Sequence, residues 1–196
     1  MKNGVLAGLS ALMLMACGTS VERVAVDEQI DLSGAWNDTD SRLVSEEMIS
    51  DALARPWVSE FVRRESQRPV VIVGEVRNLS HEHINVNTFV ADMERALVNS
   101  GQVDFVASST ERDEVRDERA DQAINAAAAT RKAAGREAGA DFMLKGQINT
   151  IIDKEGRRSV RYYQIDLTMI SMADNRKVWL GQKKIKKYVK NAKLRY

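Results

Sequence analysis

The sequence predicts an α/β (α+β) fold, in which a small mixed β-sheet of about five strands carries helices packed on it, within a single domain. Two observations predict it. Helical spacing of apolar residues alternates with β-branched runs in the first two thirds, and three alternating segments separated by turn signals follow. The 196 residues, with 44% hydrophobic and 29% charged residues and two prolines, exclude disordered, collagen-like and multi-pass membrane proteins.

Residues 1–16 are predicted to be a removable signal peptide, because Lys2 precedes an apolar run from Val5 to Ala16. That run supplies about half of the roughly 20 apolar residues that a spanning helix needs. The segment Leu14-Met15-Ala16-Cys17 resembles the lipobox of bacterial lipoproteins. The resemblance implies cleavage before Cys17 and attachment of several acyl chains, such as palmitate, to the new N-terminus.

Two features around Cys17 agree with that expectation. Cys17 is the one cysteine of the sequence, so it cannot form an internal disulfide in an exported protein. The next residue is Gly18 rather than the aspartate that favours retention at the inner membrane in enteric bacteria. We therefore expect a lipid-anchored protein of the outer membrane that faces the periplasm.

Residues 17–40 sustain no helical or strand period and are predicted to be the lipidated N-terminus and a tether that packs in part, before a globular domain over residues 41–196. Asp40 or Ser41 is expected to begin a helix that Pro56 ends. Its apolar face comprises Val44, Met48, Ile49, Ala52 and Leu53. A short second helix is expected to begin at Pro56, with an apolar face of Trp57, Val58, Phe61 and Val62.

The middle of the chain predicts two strands, each followed by a helix. Val70 to Val76 is a β-branched run typical of a buried strand, and the polar loop Arg77 to Asn85 follows it. Asn87 is expected to cap a helix that ends at Gly101. The apolar face of that helix comprises Phe89, Val90, Met93, Ala96 and Leu97. Val103 to Ala107 is predicted to be a second, short strand.

The last part predicts a long helix and a meander of three strands. Ser108 and Glu111 have the spacing of a capping box, so a helix is expected to run to about Ala138, before Gly139. The strands are predicted at Phe142 to Ile152, Val160 to Met172 and Lys177 to Val189, with turns at Glu155-Gly156 and Asp174-Asn175. Alternation predicts that one face is buried, formed by Tyr163, Ile165, Leu167 and Met169.

Few residues here could carry catalysis. The only thiol belongs to Cys17, and the only histidines, His81 and His83, flank Glu82 in a loop without a third metal ligand at a recognisable spacing. This trio can be read as two metal ligands or as a solvated loop that bonds its own backbone, and we favour the second reading. No glycine pattern suits phosphate binding. We expect no catalytic residues, metal, cofactor or small-molecule substrate, and thus no enzyme.

The C-terminus is basic, with nine Lys or Arg residues and no Asp or Glu between Arg176 and Tyr196. Lysines at 183, 184, 186 and 187 surround Ile185 on a predicted strand. They either protect an edge strand from unwanted pairing or contact an acidic protein or anionic envelope surface, and export argues against nucleic acid. Trp36, Trp57 and Trp179 are expected in the core or at a seam rather than as ligand platforms.

Several segments together resemble one family, from about Leu32 onward and in the same order. They are Trp36 to Ser41, Val73 to Asn78, Glu82-His83-Ile84, Gly139-Ala140-Asp141, Leu144-Lys145-Gly146, Val178-Trp179 and Ile185-Lys186-Lys187. The set is similar to the LpoB family of lipoprotein activators of penicillin-binding proteins. The resemblance implies an outer-membrane lipoprotein, without catalysis of its own, that docks on a class A penicillin-binding protein and stimulates peptidoglycan synthesis in the cell wall.

Two surfaces are candidates for that docking, because binding residues concentrate in exposed loops and strand edges. The first, here called the loop patch, comprises Arg77, Asn78, His81, Glu82 and His83. The second, the lysine patch, comprises Lys183, Lys184, Lys186 and Lys187. The alternative function is a non-enzymatic scaffold of an envelope-assembly or secretion machine. A tether of about 20 residues spans at most roughly 70 Å.

Overall fold

The computed structural model of the chain describes residues 20–190. The predicted signal peptide 1–16 and Cys17 lie outside the described residues, as does the end of the chain from 191. Residues 20–190 contain four helices: α1 (Asp38–Leu53), α2 (Pro56–Glu65), α3 (Val86–Asn99) and α4 (Ser109–Asn125). The same part of the chain contains five strands: β1 (Val70–Asn78), β2 (Asp104–Phe105), β3 (Phe142–Glu155), β4 (Arg158–Ser171) and β5 (Lys177–Lys190).

The five strands form one mixed sheet in the order β2-β1-β3-β4-β5. The first three of these pair in parallel, and β3, β4 and β5 form an antiparallel meander. Turns with Gly156 (φ 56°) and Asn175 (φ 60°) connect the meander at the two positions that the sequence indicates. The mixed α/β single domain predicted from the sequence is therefore confirmed.

The core lies between one face of the sheet and helices α1, α2 and α3. On β4, Tyr163, Ile165, Leu167 and Met169 are all buried, as their alternation predicts. From the helix side, Phe89, Met93 and Leu97 of α3 are fully buried, while Trp57 and Phe61 of α2 stack edge-on against Phe142 of β3. Burial of Trp57 and Trp179 confirms that these two tryptophans belong to the core.

The starts of α1 and α3 lie two to four residues before those predicted, whereas α2 and α4 begin where the sequence indicates. Asn37 caps α1 in a capping box in which Asp40 is the partner three residues on, so Asp40 lies inside the helix that it was expected to begin. Asn85 rather than Asn87 caps α3. The sequence pattern placed both caps late because more than one polar residue near each helix start can accept a hydrogen bond from a backbone N–H. Val62 also departs from expectation, since it lies on the exposed side of α2.

Four strands are longer than predicted, whereas β2 is shorter: it comprises Asp104–Phe105 instead of the predicted Val103 to Ala107, because only these two residues pair with β1. β1 continues through Arg77 and Asn78, which pair with Gln147 and Ile148 of β3 and so do not belong to the loop. The β3–β4 hairpin continues to Glu155 and Arg158, beyond the apolar core, because backbone pairing alone sustains it there. β5 is the last strand of the sheet and has β4 as its one neighbour.

The long helix is the largest departure. α4 ends at Asn125 rather than near Ala138, and the alanine-rich segment from 126 to 141 folds back along it as turns and irregular chain. The amide of Val106 bonds to Val71 and that of Asp141 bonds to Val70, so the chain leaves and returns beside the first residues of β1. A helix of about 30 residues would end roughly 45 Å away. Strand pairing therefore overrides the helix propensity of alanine.

Candidate functional site

The loop patch comprises the last two residues of β1 and part of the loop after it, and it is tied to its own backbone. The Asn78 amide donates to the carbonyl of Glu82 at 2.8 Å, and Asn78 Oδ1 accepts from the Ser80 backbone at 3.0 Å. The backbone amide of Leu79 bonds to Ile148 of β3 at 2.8 Å. The loop therefore has one fixed conformation in which Asn78 acts inside the turn rather than as a free contact.

The histidines of the loop patch occupy different environments. The backbone N–H of His81 donates to Thr150 Oγ1 at 3.1 Å, and His81 Nδ1 lies 3.1 Å from the same hydroxyl. His83 and Arg77 are exposed, and Arg77 reaches Gln147 at 3.4 Å. Within residues 20–190 no three His, Cys, Asp or Glu side chains are grouped to hold a metal ion. The exposed surface of this patch is thus formed by Arg77, His81 and His83.

Glu82 points inward, with 15% of its side chain exposed. Its carboxylate accepts hydrogen bonds from the Trp36 backbone at 3.1 Å, Arg161 Nη1 at 2.7 Å and the Tyr163 hydroxyl at 2.8 Å. These donors are 46, 79 and 81 residues away in sequence. One carboxylate therefore joins the chain before α1, the loop after β1 and strand β4.

The segment before α1, residues 31–36, packs across the sheet, and we call it the strap. The Trp36 ring meets Tyr163 and Phe89 edge-on, and its indole N–H donates to Ser41 Oγ at 2.7 Å. Burial raises the pKa of the Tyr163 hydroxyl well above its ordinary value, and the hydrogen bond to Glu82 adds to the effect. The sequence indicated partial packing of this region and a seam position for Trp36, but Arg161 and Tyr163 gave no signal of a polar cluster.

The lysine patch divides between the two faces of β5, because successive side chains on a strand point in opposite directions. Lys183 pairs with Glu47 of α1. Lys187 donates to Asp40 at 2.6 Å, to Asp31 at 2.7 Å and to the carbonyl of Ala35 at 3.2 Å. These two lysines hold α1 and the strap on the helix side of the sheet.

The other two lysines, Lys184 and Lys186, lie exposed on the face of the sheet opposite the helices, here called the open face. For Lys187, burial disfavours the charged form, but the hydrogen bonds to Asp31 and Asp40 outweigh burial and raise its pKa above the ordinary value. The patch therefore contains a structural pair and an exposed pair, which the sequence by itself did not separate.

Chemically, both patches offer hydrogen-bonding and charged groups on a rigid frame. A groove of about 670 Å³ lies between α4 and the segment that folds back, and alanines and the guanidinium groups of Arg116 and Arg119 line it. Glu137 already pairs with both of these arginines. None of the helices between residues 20 and 190 has the length and apolar character needed to cross a membrane. The arrangement suits recognition of a macromolecular surface.

Comparisons with known proteins identify one family and several solved structures that are similar at low identity. A family model described as peptidoglycan-synthase activator LpoB matches residues 40–185. No curated protein matches the chain significantly. The structure of the LpoB C-terminal domain from Escherichia coli is 15% identical, covers 72% of this chain and 97% of its own, and has a TM-score of 0.39.

Two further solved structures are similar at low identity. The NMR structure of E. coli LpoB is 12% identical over 97% of this chain and 90% of its own, with a TM-score of 0.44. Lipoprotein GNA1162 from Neisseria meningitidis is 13% identical over 64% of this chain and 88% of its own, with a TM-score of 0.41.

Proposed function

This chain belongs to the LpoB family of peptidoglycan-synthase activators, and on that premise we propose that it binds a class A penicillin-binding protein and stimulates its synthesis of peptidoglycan. The observation that carries the proposal is the match of the family model over residues 40–185. Within the described residues, this range covers the helices and strands except the first two residues of α1 and the last five of β5. The chain would act as a regulator without catalysis of its own, needing no metal or cofactor.

The contacts in the structure support two roles among the candidate binding residues: contact with the partner and positioning of the contacting residues. Arg77, His81 and His83 of the loop patch are exposed and available to a partner. Asn78 and Glu82 fix the loop that presents them. In the lysine patch, Lys184 and Lys186 are available, whereas Lys183 and Lys187 hold α1 and the strap. All nine residues are therefore proposed to support docking, some by contact and others by positioning.

We also propose that lipid on Cys17 anchors the chain in the outer membrane. Because the strap packs on the sheet from residue 31, at most 14 residues, counted from Cys17, separate the proposed lipid from the strap, and 14 residues span roughly 50 Å at most. The domain would then remain close to the membrane that holds its lipid. Cys17→Ser is expected to shift the protein from the membrane fraction to the soluble periplasmic fraction, and retention in the outer-membrane fraction would contradict the anchor.

The function is tested with the purified full-length chain and the class A penicillin-binding proteins of the same organism. Glycan polymerisation and peptide crosslinking are measured with and without the chain. Stimulation of one synthase is expected, weakened in Arg77→Glu of the loop patch. The matched control is Arg63→Glu, which makes the same charge change on the exposed side of α2 and is expected to stimulate normally. Absence of binding and of any rate change with every synthase would favour the envelope-assembly scaffold instead.

A further inference from the structure

Strand β5 ends the sheet with an unpaired edge. Its backbone pairs with β4 along Lys177–Lys190, and no other backbone segment among residues 20–190 bonds to it. Alternate residues of an edge strand direct their N–H and C=O groups away from the sheet, where they can pair with an added strand. A 14-residue edge is long compared with the usual strand of about five or six residues.

The lysines of this edge strand differ between the two faces of the sheet. Lys183 and Lys187, on the helix side, are neutralised by Glu47, Asp31 and Asp40. Lys184 and Lys186, on the open face, have no acidic side chain within ion-pair distance in the described part of the chain. Exposed apolar side chains flank this pair, since Leu180 is 67% exposed and Tyr188 is 64% exposed.

A second copy of the chain is a poor occupant of this edge. Antiparallel pairing of two β5 strands would bring the lysines of one copy close to those of the other, and like charges across strands are destabilising. A strand with acidic residues at alternate positions has the opposite property. Lys184 and Lys186 are two residues apart, about 7 Å along the strand, which is also the spacing of alternate carboxylates on a neighbouring strand.

We propose that β5 binds an extended acidic segment of the partner protein as an added strand, with carboxylates beside Lys184 and Lys186 and apolar side chains near Leu180 and Tyr188. The inference rests on the proposed function in naming the synthase as the partner. Backbone hydrogen bonds would provide much of the affinity, and the lysines would select an acidic sequence and its register.

The proposal differs from the protective role of edge lysines in a measurable way. A protective role requires only that Lys184 and Lys186 repel other strands, so it predicts no saturable binding of a peptide. The probe is a fluorescein-labelled peptide about ten residues long, with glutamates at two central alternate positions and valines at the alternate positions outside them, so that both residue types lie on one face of the added strand. A matched probe has glutamine in place of glutamate, and another keeps the glutamates but has proline at alternate positions, which removes backbone donors.

Fluorescence anisotropy with the full-length chain is expected to show saturable binding of the glutamate–valine probe, with at least about tenfold weaker binding of both matched probes. Lys184→Glu/Lys186→Glu is expected to weaken binding of the glutamate–valine probe by a similar factor. The control Lys145→Glu/Lys132→Glu makes the same charge change away from the edge and is expected to bind normally. Circular dichroism verifies that both variants are folded.

Three outcomes would overturn the proposal: no saturable binding, equal binding of the proline probe, or equal loss in the control variant. The first would leave the lysines as edge protection, and the others would indicate nonspecific attraction. The synthase assay separates this inference from the proposed function. If the unaltered chain stimulates a synthase and Lys184→Glu/Lys186→Glu stimulates it equally well, the function stands and the edge is not the docking surface. If no synthase responds, the peptide result still decides whether the edge accepts an acidic strand.

Discussion

Individual residues in this protein act through contacts that are remote in sequence, and Glu82 is the main example. Its carboxylate is mostly buried and is satisfied by three donors from the strap and β4. A buried carboxylate stabilises a fold only while its partners remain in place, because leaving either partner unpaired carries a desolvation cost. Glu82 therefore positions the loop patch and the strap at the same time.

Replacing Glu82 tests this role. Glu82→Gln keeps the shape but removes the charge and places an amide donor against Arg161 or Tyr163. We expect the free energy of unfolding to fall by about 1–3 kcal/mol. Urea unfolding followed by tryptophan fluorescence measures it. Glu75→Gln, on an exposed position of β1, is the control and is expected to change stability by less than about 0.5 kcal/mol. Equal stability of Glu82→Gln and Glu75→Gln would show that the Glu82 carboxylate does not stabilise the fold.

Gly34 is a second residue whose identity depends on the tertiary structure. Its φ is 68°, and a Cβ atom placed on it would lie 2.2 Å from Val189 Cγ2. Gly34→Ala is therefore expected to loosen the strap, with hydrogen exchange at the Trp36 amide at least about tenfold faster. Gly135 is a matched control, since its φ is 76° but no atom lies within 4 Å of the corresponding Cβ. Gly135→Ala is expected to leave hydrogen exchange at the Trp36 amide unchanged. If Gly34→Ala also left this exchange unchanged, close packing of Gly34 against Val189 would be contradicted.

At the scale of elements, α4 is unlike the other helices because none of its residues is buried. Its capping box of Ser108 and Glu111 and its ion pairs stabilise it locally, and it contributes nothing to the core. The helix and the segment that folds back form an excursion whose two ends meet at β1. An element of this kind can be removed without exposing apolar core surface.

Excision of this excursion provides a direct test. Residues 109–138 are replaced by a short glycine–serine linker that joins the neighbouring ends. Because no buried side chain is lost, the free energy of unfolding is expected to change by less than about 1 kcal/mol. Leu97→Ala in α3 is the contrast, with an expected loss of about 2–5 kcal/mol, because the Leu97 side chain is buried in the core with 0% of it exposed to solvent. Urea unfolding measures the stability of both variants. If the protein that lacks residues 109–138 were unfolded, the result would show that α4 supports the core.

For the whole molecule, the strap makes the chain before α1 part of the domain. Glu82 and Tyr163 hold it from one side and Lys187 holds it from the other. The folded state raises the pKa of both Tyr163 and Lys187, so both keep their protons at a pH where the unfolded chain loses them. Their contribution to stability is complete below pH 10 and is lost as the pH rises further.

The free energy of unfolding is therefore expected to fall as the pH rises above about 10, with the strap detaching before or together with global unfolding. Urea unfolding at several pH values measures the slope. Tyr163→Phe is expected to have lower stability at neutral pH and a shallower alkaline slope. Tyr162→Phe, one residue away on the open face, is the control and is expected to keep the full slope. A slope that is equal in all three proteins would show that Tyr163 does not link strap binding to pH.

The sequence by itself determined the fold class, the order of helices and strands, both hairpin turns and the buried face of β4. These features depend on local preferences and on the repeat of apolar residues, which are written along the chain. The segments that resemble the LpoB family also identified the family over most of the sequence. The predicted ends of elements were less accurate, because polar residues close together in sequence, such as Asn85 and Asn87, can each cap a helix.

Only the tertiary structure decided where α4 ends and which lysines of β5 form ion pairs with α1 and the strap. It also decided that the Glu82 side chain is mostly buried. Each of these depends on contacts between residues far apart in sequence. Pairing of Asp141 with β1 turns the chain back against the preference of its alanines. Acidic residues of α1 and the strap neutralise Lys183 and Lys187 and leave Lys184 and Lys186 exposed. Such choices are made by packing and charge in three dimensions, which local propensity does not encode.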